Sequence, residues 1–124
     1  MNDSIRKRGT ILFAHGSRDP LWRKPIEAVG LHIQAIAPAI QVRCAYLELT
    51  APDLPTTADE LVALGVTSVT VVPMFLGVGK HAREDLPQLI QALQARHPQV
   101  AFELRPAIGE ETQMIELMAK IAIS

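Results

Sequence analysis

Residues 10–17, with the sequence TILFAHGS, carry the strongest structural signal in the chain. A short apolar run extends from Thr10 to Ala14 and ends at His15-Gly16-Ser17. A run that is apolar at consecutive positions is typical of a strand covered on both faces, as the inner strands of parallel sheets are. We therefore predict that this stretch is the first strand, that it lies inside a sheet, and that it stops at His15.

The chain outside this stretch alternates helical and strand patterns. Apolar residues at spacings of three and four predict a first helix with a core-facing stripe of Trp22, Ile26, Val29, Ile33 and Ile36. Whether that helix begins before or after Pro25 stays open. Further strands are predicted over 40–47, 66–73 and 100–104. Asp53 or Thr57 would cap a second helix that Gly65 ends, Asp85 and Pro87 would start a third, and the last would run from about 110 to 121.

This element order predicts an α/β fold of three layers, a doubly wound four-stranded parallel sheet with helices on both faces. The first and third strands are apolar on both faces, whereas the second and fourth alternate as half-exposed edge strands do. The predicted strand order is therefore 2-1-3-4, with the topological switch point between strands one and three. We predict a single domain over residues 1–124, in which residues 1–9 form a solvated N-terminal arm that includes Arg6-Lys7-Arg8.

Composition narrows the functional classes. Hydrophobic residues make up 48% and charged residues 20%, as in globular proteins, and a net charge of −1 gives no general attraction to nucleic acid or to an anionic membrane. A single cysteine, Cys44, excludes an intrachain disulfide framework and a multi-cysteine metal cage. No apolar run approaches the ~18 residues of a membrane span, and the N-terminus lacks a signal-peptide pattern. A cytoplasmic enzyme or binding domain fits best.

Three polar side chains are predicted to lie at the edge where open parallel sheets bind ligands, the carboxyl ends of their strands. His15 follows the first strand, Glu48 follows the second, and His81 follows the third. Because strands one and three are predicted neighbours, both imidazoles can face one cleft. Two imidazoles and a carboxylate suit a borderline divalent metal, and an imidazole also accepts protons near neutral pH. The pattern thus indicates metal binding, proton transfer, or both.

Structural explanations of the same residues stay open. Each histidine alone could be a hydrogen-bonded structural group, and Glu48 could cap the second helix or remain solvated.

Gly77 and Gly79 would let the loop backbone approach a flat ligand closely. The sequence Gly77-Val78-Gly79-Lys80 is not a phosphate loop, because that motif requires Gly at position 74 and Ser or Thr at position 81. No nucleotide cofactor is therefore predicted.

Two longer motifs resemble a known family. LFAHGSRDP (12–20) and VVPMFLGVGKH (71–81), the latter followed by DLP (85–87), are similar to the two signatures of the small sirohydrochlorin cobaltochelatases, and YLE (46–48) matches a short element between them. The similarity runs from about residue 10 to residue 109. The resemblance implies a class II, ATP-independent chelatase of the short single-lobe form, which inserts Co²⁺ into sirohydrochlorin on the route to cobalamin. Close relatives insert Fe²⁺ to make sirohaem, or Ni²⁺.

The same resemblance implies roles for individual residues. His15 would be a metal ligand and proton acceptor, and His81 the second metal ligand. Independently of the resemblance, we hypothesise that Glu48 is a further catalytic residue, which takes or relays the second proton. Contacts to the macrocycle would come from Glu48, Leu76, Gly77, Val78, Gly79, Lys80 and His81. A homodimer is implied because short members resemble half of a two-lobe chelatase, and a flat ligand on a single lobe would need a second wall. A non-catalytic metal or tetrapyrrole carrier that uses the same histidines is the alternative.

Overall fold

The computed structural model describes residues 7–124, which form a four-stranded sheet with flanking helices. The strands are β1 (Arg8–Ala14), β2 (Gln41–Tyr46), β3 (Ser68–Pro73) and β4 (Ala101–Leu104). The helices are α1 (Lys24–Ile36), α2 (Leu54–Ala63), α3 (Lys80–Arg96) and α4 (Thr112–Ile123), with single 3-10 turns at Pro20–Arg23 and Ile108–Glu110. Within the described residues, every helix is too short or too polar to cross a membrane.

The sheet has the predicted topology. Its order is β2-β1-β3-β4 and every pairing is parallel, so that Leu12 of β1 lies opposite Cys44 of β2 on one side and Val72 of β3 on the other. The predicted fold class, a doubly wound parallel sheet of order 2-1-3-4, is therefore confirmed. A chain that leaves β1 toward β2 and later returns to β3 opens a crevice at the carboxyl ends of β1 and β3.

The main core lies between the sheet and the pair α2 and α3. Ile11 and Phe13 of β1 pack there with Leu61 of α2 and Leu93 of α3, all of them buried. Leu12 and Ala14 point to the opposite face and are buried as well. β1 is thus covered on both faces, as its consecutive apolar residues predict.

The packing of α1 differs from the prediction. Ile26 and Ile33 are half-buried, but Trp22, Val29 and Ile36 are exposed, so the five-residue core stripe is wrong at three positions. The helix approaches the sheet at Gly30, where an added Cβ would lie 3.7 Å from Cys44 Sγ. The spacing of apolar residues identifies the apolar side of a helix. Which of these residues are buried depends on where the helix lies closest to the sheet. α1 begins at Lys24, one residue before Pro25, directly after the 3-10 turn.

The N-terminal arm is shorter than predicted. Residues 1–6 lie outside the described part of the chain, but Arg8 and Gly9 belong to β1, and the Lys7 carbonyl accepts hydrogen bonds from the amides of Thr67 and Ser68. The prediction of a solvated arm over residues 1–9 is therefore wrong for residues 7–9. Basic side chains suggest solvation, but the backbone that carries them can still join a strand ladder.

Two helix starts also differ from the prediction. α3 begins at Lys80 rather than at Asp85 or Pro87, and Pro87 lies inside the helix, where the hydrogen bond from its missing amide to the Arg83 carbonyl is lost. Lys80 and His81 are consequently helical rather than part of the preceding loop. α4 begins two residues later than predicted, because Glu110 belongs to the 3-10 turn.

Candidate functional site

The site is built around the carboxyl end of β1. The Leu47 amide donates to the Ala14 carbonyl at 2.8 Å, and the Met74 amide donates to the Phe13 carbonyl at 2.7 Å. The segments that follow β2 and β3 therefore both run alongside the end of β1. His15, the next residue of the chain, lies at the switch point between them, as the strand order predicts.

His15 and Glu48 form the one close pair among the three predicted residues. His15 Nδ1 lies 3.5 Å from Glu48 Oε1, and the two side chains are 57% and 46% exposed. The Phe75 ring packs against the imidazole with a centroid separation of 4.5 Å and an interplanar angle of 33°. Phe75 itself is buried. The imidazole thus rests on an apolar surface with a carboxylate beside it, and its remaining edge is accessible to solvent.

Gly16 makes this arrangement possible. A Cβ built at Gly16 would lie 1.4 Å from the Glu48 carbonyl oxygen, an overlap that no side chain can avoid. On the far side of Gly16, the Ser17 amide donates to Thr50 Oγ1 at 3.2 Å, and the Thr50 hydroxyl donates back to the Ser17 carbonyl. We call residues 15–19 and 47–52 the interlocked loops. Their contact holds the Glu48 backbone against the residue that follows His15.

Glu48 is directed by a strained turn. Leu49 has φ of 66°, and the Thr50 amide donates to the Glu48 carbonyl at 2.8 Å. This is the pattern of the γ-turn with positive φ, which is rare and strained for a residue with a side chain. Strain of this kind is concentrated at functional sites, where the surrounding contacts maintain it.

The capping role left open for Glu48 is wrong. Asp53 caps α2, since its side chain accepts a hydrogen bond from the Thr56 amide at 2.9 Å. Hydrogen bonds from Thr56 hold the pKa of the Asp53 carboxyl below its usual value. Helix capping therefore does not occupy the carboxylate of Glu48, which stays beside His15.

His81 lies on the other side of the crevice. It is exposed in the first turn of α3, after Gly79 as the N-terminal cap. Within residues 7–124, no hydrogen bond or ion pair joins His81 to His15 or Glu48, and no three potential ligands among His, Cys, Asp and Glu are close enough to hold a metal ion. A metal site that combines the two histidines therefore remains a prediction.

The segment between β3 and α3, residues 74–79, is anchored at its start and again at Val78, which packs against the hydrophobic core. The Gly109 amide donates to the Phe75 carbonyl at 2.9 Å, and a Cβ on Gly109 would lie 2.1 Å from the Leu76 carbonyl oxygen. Other positions of the segment are open: Leu76 is 73% exposed, and within residues 7–124 nothing lies within 4 Å of a Cβ built on Gly77 or Gly79. We call residues 74–79 the open loop.

Sequence reasoning missed Phe75 and Gly109 as parts of this site. Phe75 could have been found, because it is the second residue after β3 and the strand order places it beside the end of β1. Gly109 gives no local signal. Its role depends on a contact with residues more than thirty positions away.

A comparison with known proteins identifies related chains. The CbiX family model matches residues 9–123. A protein of Methanothermobacter thermautotrophicus named sirohydrochlorin cobaltochelatase is 31% identical over 85 residues, which cover 68% of this chain and 58% of that one. Other relatives, including one from Bacillus subtilis, are named sirohydrochlorin ferrochelatase. The aligned region spans more than half, but less than two thirds, of the length of the cobaltochelatase relatives.

Solved structures show the same fold. A cobalamin (vitamin B12) biosynthesis CbiX protein from Marinobacter aquaeolei superposes with a TM-score of 0.80 at 32% identity, and the match covers 94% of both chains. The sirohydrochlorin chelatase SirB from Bacillus subtilis subspecies spizizenii, solved in complex with cobalt, gives a TM-score of 0.78 at 25% identity. That match covers 94% of this chain but 50% of SirB. The fold is therefore that of the chelatases, in a chain half as long as SirB.

Proposed function

The chain belongs to the CbiX family, and we propose that it is a cytoplasmic enzyme that inserts a divalent metal ion into sirohydrochlorin. The observation that carries the proposal is the His15–Glu48 pair, 3.5 Å apart at the switch point of the sheet. The names of the relatives supply the substrate and the reaction class. Cobalt is the proposed metal, with iron and nickel as the alternatives, because all three accept nitrogen and oxygen ligands.

The His15–Glu48 pair can hold the metal ion before it is transferred to the tetrapyrrole. When the proton of the neutral imidazole is on Nδ1, facing Glu48, the lone pair of Nε2 is free to bind a divalent ion. Packing against Phe75 limits rotation of the ring. Two or three protein donors leave positions open on the metal for pyrrole nitrogens, whereas a structural metal site closes its coordination sphere. An incomplete set of protein ligands favours transfer of the metal over its storage. It therefore favours a chelatase over a carrier.

The reaction also releases two protons. Each of two pyrrole N–H bonds breaks, its electron pair forms a bond to the metal, and the proton needs an acceptor. We assign the first proton to His15, as the metal leaves its nitrogen for the ring, and the second to Glu48. Both acceptors are half-exposed, so that they can pass the protons to solvent and begin another cycle.

His81 and the open loop complete the proposed site. We propose that His81 is the second metal ligand and that residues 76–80 contact the face of the macrocycle. Two observations support this. Both elements follow β3, the strand next to β1, and Gly77 and Gly79 leave the loop free of steric contacts that would oppose a flat ligand.

The proposal is tested by anaerobic turnover of sirohydrochlorin with Co²⁺, Fe²⁺ and Ni²⁺ in parallel. With a chelatase, the absorbance change corresponds to many molecules of substrate converted per site. With a carrier, it corresponds to one molecule bound per site. We expect His15→Ala to lower kcat by about 100-fold or more, because ligand and proton acceptor are lost together. His32→Ala, which removes an exposed histidine on α1, is the matched control and should keep wild-type turnover. Equal rates for the two variants would contradict the role of His15.

We further propose that the chain folds as one domain and works as a homodimer. Large apolar side chains remain exposed on α1 and α4, among them Leu31 at 66%, Ile36 at 70% and Ile121 at 64%. Exposed apolar surface on this scale marks an interaction site, and twofold pairing is the commonest solution. Sedimentation should give a dimer, and Leu31→Glu with Ile121→Glu should give monomers. A wild-type monomer with full activity would contradict the pairing.

A further inference from the structure

A cavity separate from the crevice between β1 and β3 lies next to the interlocked loops, on the side of the sheet covered by α1. It measures about 600 Å³ and opens between the loop after β1, the start of α1 and the end of β2. Its polar lining comes from Ser17, Arg18, Arg23, Glu27, Tyr46 and Thr50. None of the roles proposed above uses this cavity, although Ser17 and Thr50 form one of the contacts that fix the His15–Glu48 pair.

Tyr46 gives the cavity an unused donor. Its side chain is buried, with 3% of the residue exposed, and among the described residues its hydroxyl has no nitrogen or oxygen partner, with only the weakly bonding thiol of Cys44 beside it. Burial, together with the nearby Cys44 and Glu27, raises the pKa of Tyr46 to about 12 against a smaller opposing effect of Arg23. The hydroxyl is therefore protonated at neutral pH and able to donate. A buried polar group without a partner is destabilising and calls for an explanation, such as a ligand that supplies the acceptor.

The charges around the cavity favour an anion. Within residues 7–124, the Arg18 guanidinium takes part in no hydrogen bond or ion pair, and Arg23 makes only a loose pair with Glu27, with Nε 3.5 Å from Oε2. Two guanidinium groups therefore face one carboxylate. The terminal nitrogens of a guanidinium match the two oxygens of a carboxylate, and such bidentate pairs are among the strongest hydrogen bonds in proteins.

We propose that this cavity binds one peripheral carboxylate of the tetrapyrrole, through the guanidinium groups of Arg18 and Arg23 and the hydroxyl of Tyr46. This inference rests on the proposed function, since sirohydrochlorin carries acetate and propionate groups around its rim. Arg18 lies three residues after His15 in the same interlocked loop, so that one ligand can span both. A carboxylate fixed there sets the in-plane rotation of the ring, and with it the pyrrole nitrogen that faces His15. The three residues are positioning residues.

The test is equilibrium binding of metal-free sirohydrochlorin, followed by fluorescence, in the full chain. Arg23→Gln should raise Kd about tenfold and Tyr46→Phe by about three- to tenfold, as expected for lost hydrogen bonds to a charged group. Lys24→Gln is the matched control, because it removes a neighbouring positive charge on α1 that does not line the cavity, and it should change Kd less than about twofold. In both variants KM should rise with Kd, whereas kcat at saturating substrate should change much less.

A thermal melt separates this role from a structural one. Tyr46→Phe should keep or raise the melting temperature, since it removes a buried hydroxyl that has no nitrogen or oxygen partner within residues 7–124. A lower melting temperature with unchanged Kd would overturn the proposal. So would Kd values for sirohydrochlorin that are the same in Tyr46→Phe, Arg23→Gln and wild type.

Free anions provide the remaining arm of the experiment. Glutarate and inorganic phosphate are titrated into the wild type and the two variants. One result would overturn the tetrapyrrole assignment in favour of a small free anion. In that result, binding of glutarate or phosphate depends on Arg23 and Tyr46, but binding of sirohydrochlorin does not. Wild-type protein that binds sirohydrochlorin with the predicted dependence but never inserts a metal would support the subsite and contradict the chelatase function.

Discussion

The interlocked loops and the open loop lie at the same edge of the sheet, yet they are built in opposite ways. Residues 15–19 and 47–52 are joined by backbone contact at Gly16 and by the paired hydrogen bonds of Ser17 and Thr50. Residues 74–79 are held by Gly109 at their start and by Val78 against the core, but Leu76, Gly77 and Gly79 are exposed. The interlocked loops can hold the His15 imidazole beside the Glu48 carboxylate. The open loop can admit a broad ligand. Both properties suit metal insertion.

Glycine shows the contrast at single positions. Gly16 is required because the Glu48 carbonyl occupies the place of its Cβ. Gly77 and Gly79 have open space in that direction, so any requirement for them would come from a ligand rather than from the fold.

The largest effect should come from Gly16→Ala. The added methyl group cannot fit 1.4 Å from a carbonyl oxygen, so the interlocked loops must separate and the His15–Glu48 pair must break. We expect a loss of about 1–3 kcal/mol in the free energy of unfolding, the range for forced overpacking with backbone shifts, and turnover near background. Urea denaturation with a parallel activity assay measures both. Wild-type activity in this variant would show that the loops need not interlock.

A smaller effect is expected from Glu48→Gln, which keeps the shape of the side chain and removes its charge. We expect kcat to fall about tenfold, because the second proton loses its acceptor while His15 remains. The free energy of unfolding should change by less than about 0.5 kcal/mol, since the pair is half-exposed and 3.5 Å apart. Single-turnover and steady-state rates with Co²⁺ separate the chemical step from product release. An unchanged kcat would restrict Glu48 to contacts with the substrate.

The smallest effect on the fold should come from Gly77→Ala in the open loop. Because no described residue lies within 4 Å of the new Cβ, the free energy of unfolding should stay within about 0.5 kcal/mol of wild type. An increase in KM for sirohydrochlorin without a change in stability would indicate that the ligand approaches this backbone. A stability loss as large as that of Gly16→Ala would mean that the two loops are equally constrained.

Much of this arrangement could be predicted from the sequence, for a physical reason. β1 is apolar at consecutive positions because both of its faces are buried, whereas β2 and β4 alternate, so the strand order and the position of His15 at the switch point could be predicted from the apolar pattern of the strands. The proximity of Glu48 and His15 follows too, since the parallel strands β1 and β2 end at the same edge of the sheet.

The remaining features depend on contacts that no local pattern encodes. The start of α3 was misplaced because Pro87, usually a signal for a helix start, is tolerated within it. Gly16 and Gly109 are fixed by carbonyl groups far away in the chain, and Phe75 packs against His15 through tertiary approach. The exposed face of α1 was predicted as core, since periodicity does not reveal what covers an apolar stripe.

The contact between Gly16 and the Glu48 carbonyl links two segments that are thirty-two positions apart, and this has a consequence for how such chains diverge. A side chain at position 16 can be accepted only if the segment after β2 moves or changes length in the same lineage. In an alignment of related sequences, substitutions at position 16 should therefore coincide with insertions or deletions within 47–52. The same coupling sets a rule for design, because loops grafted onto this sheet must be exchanged as a pair.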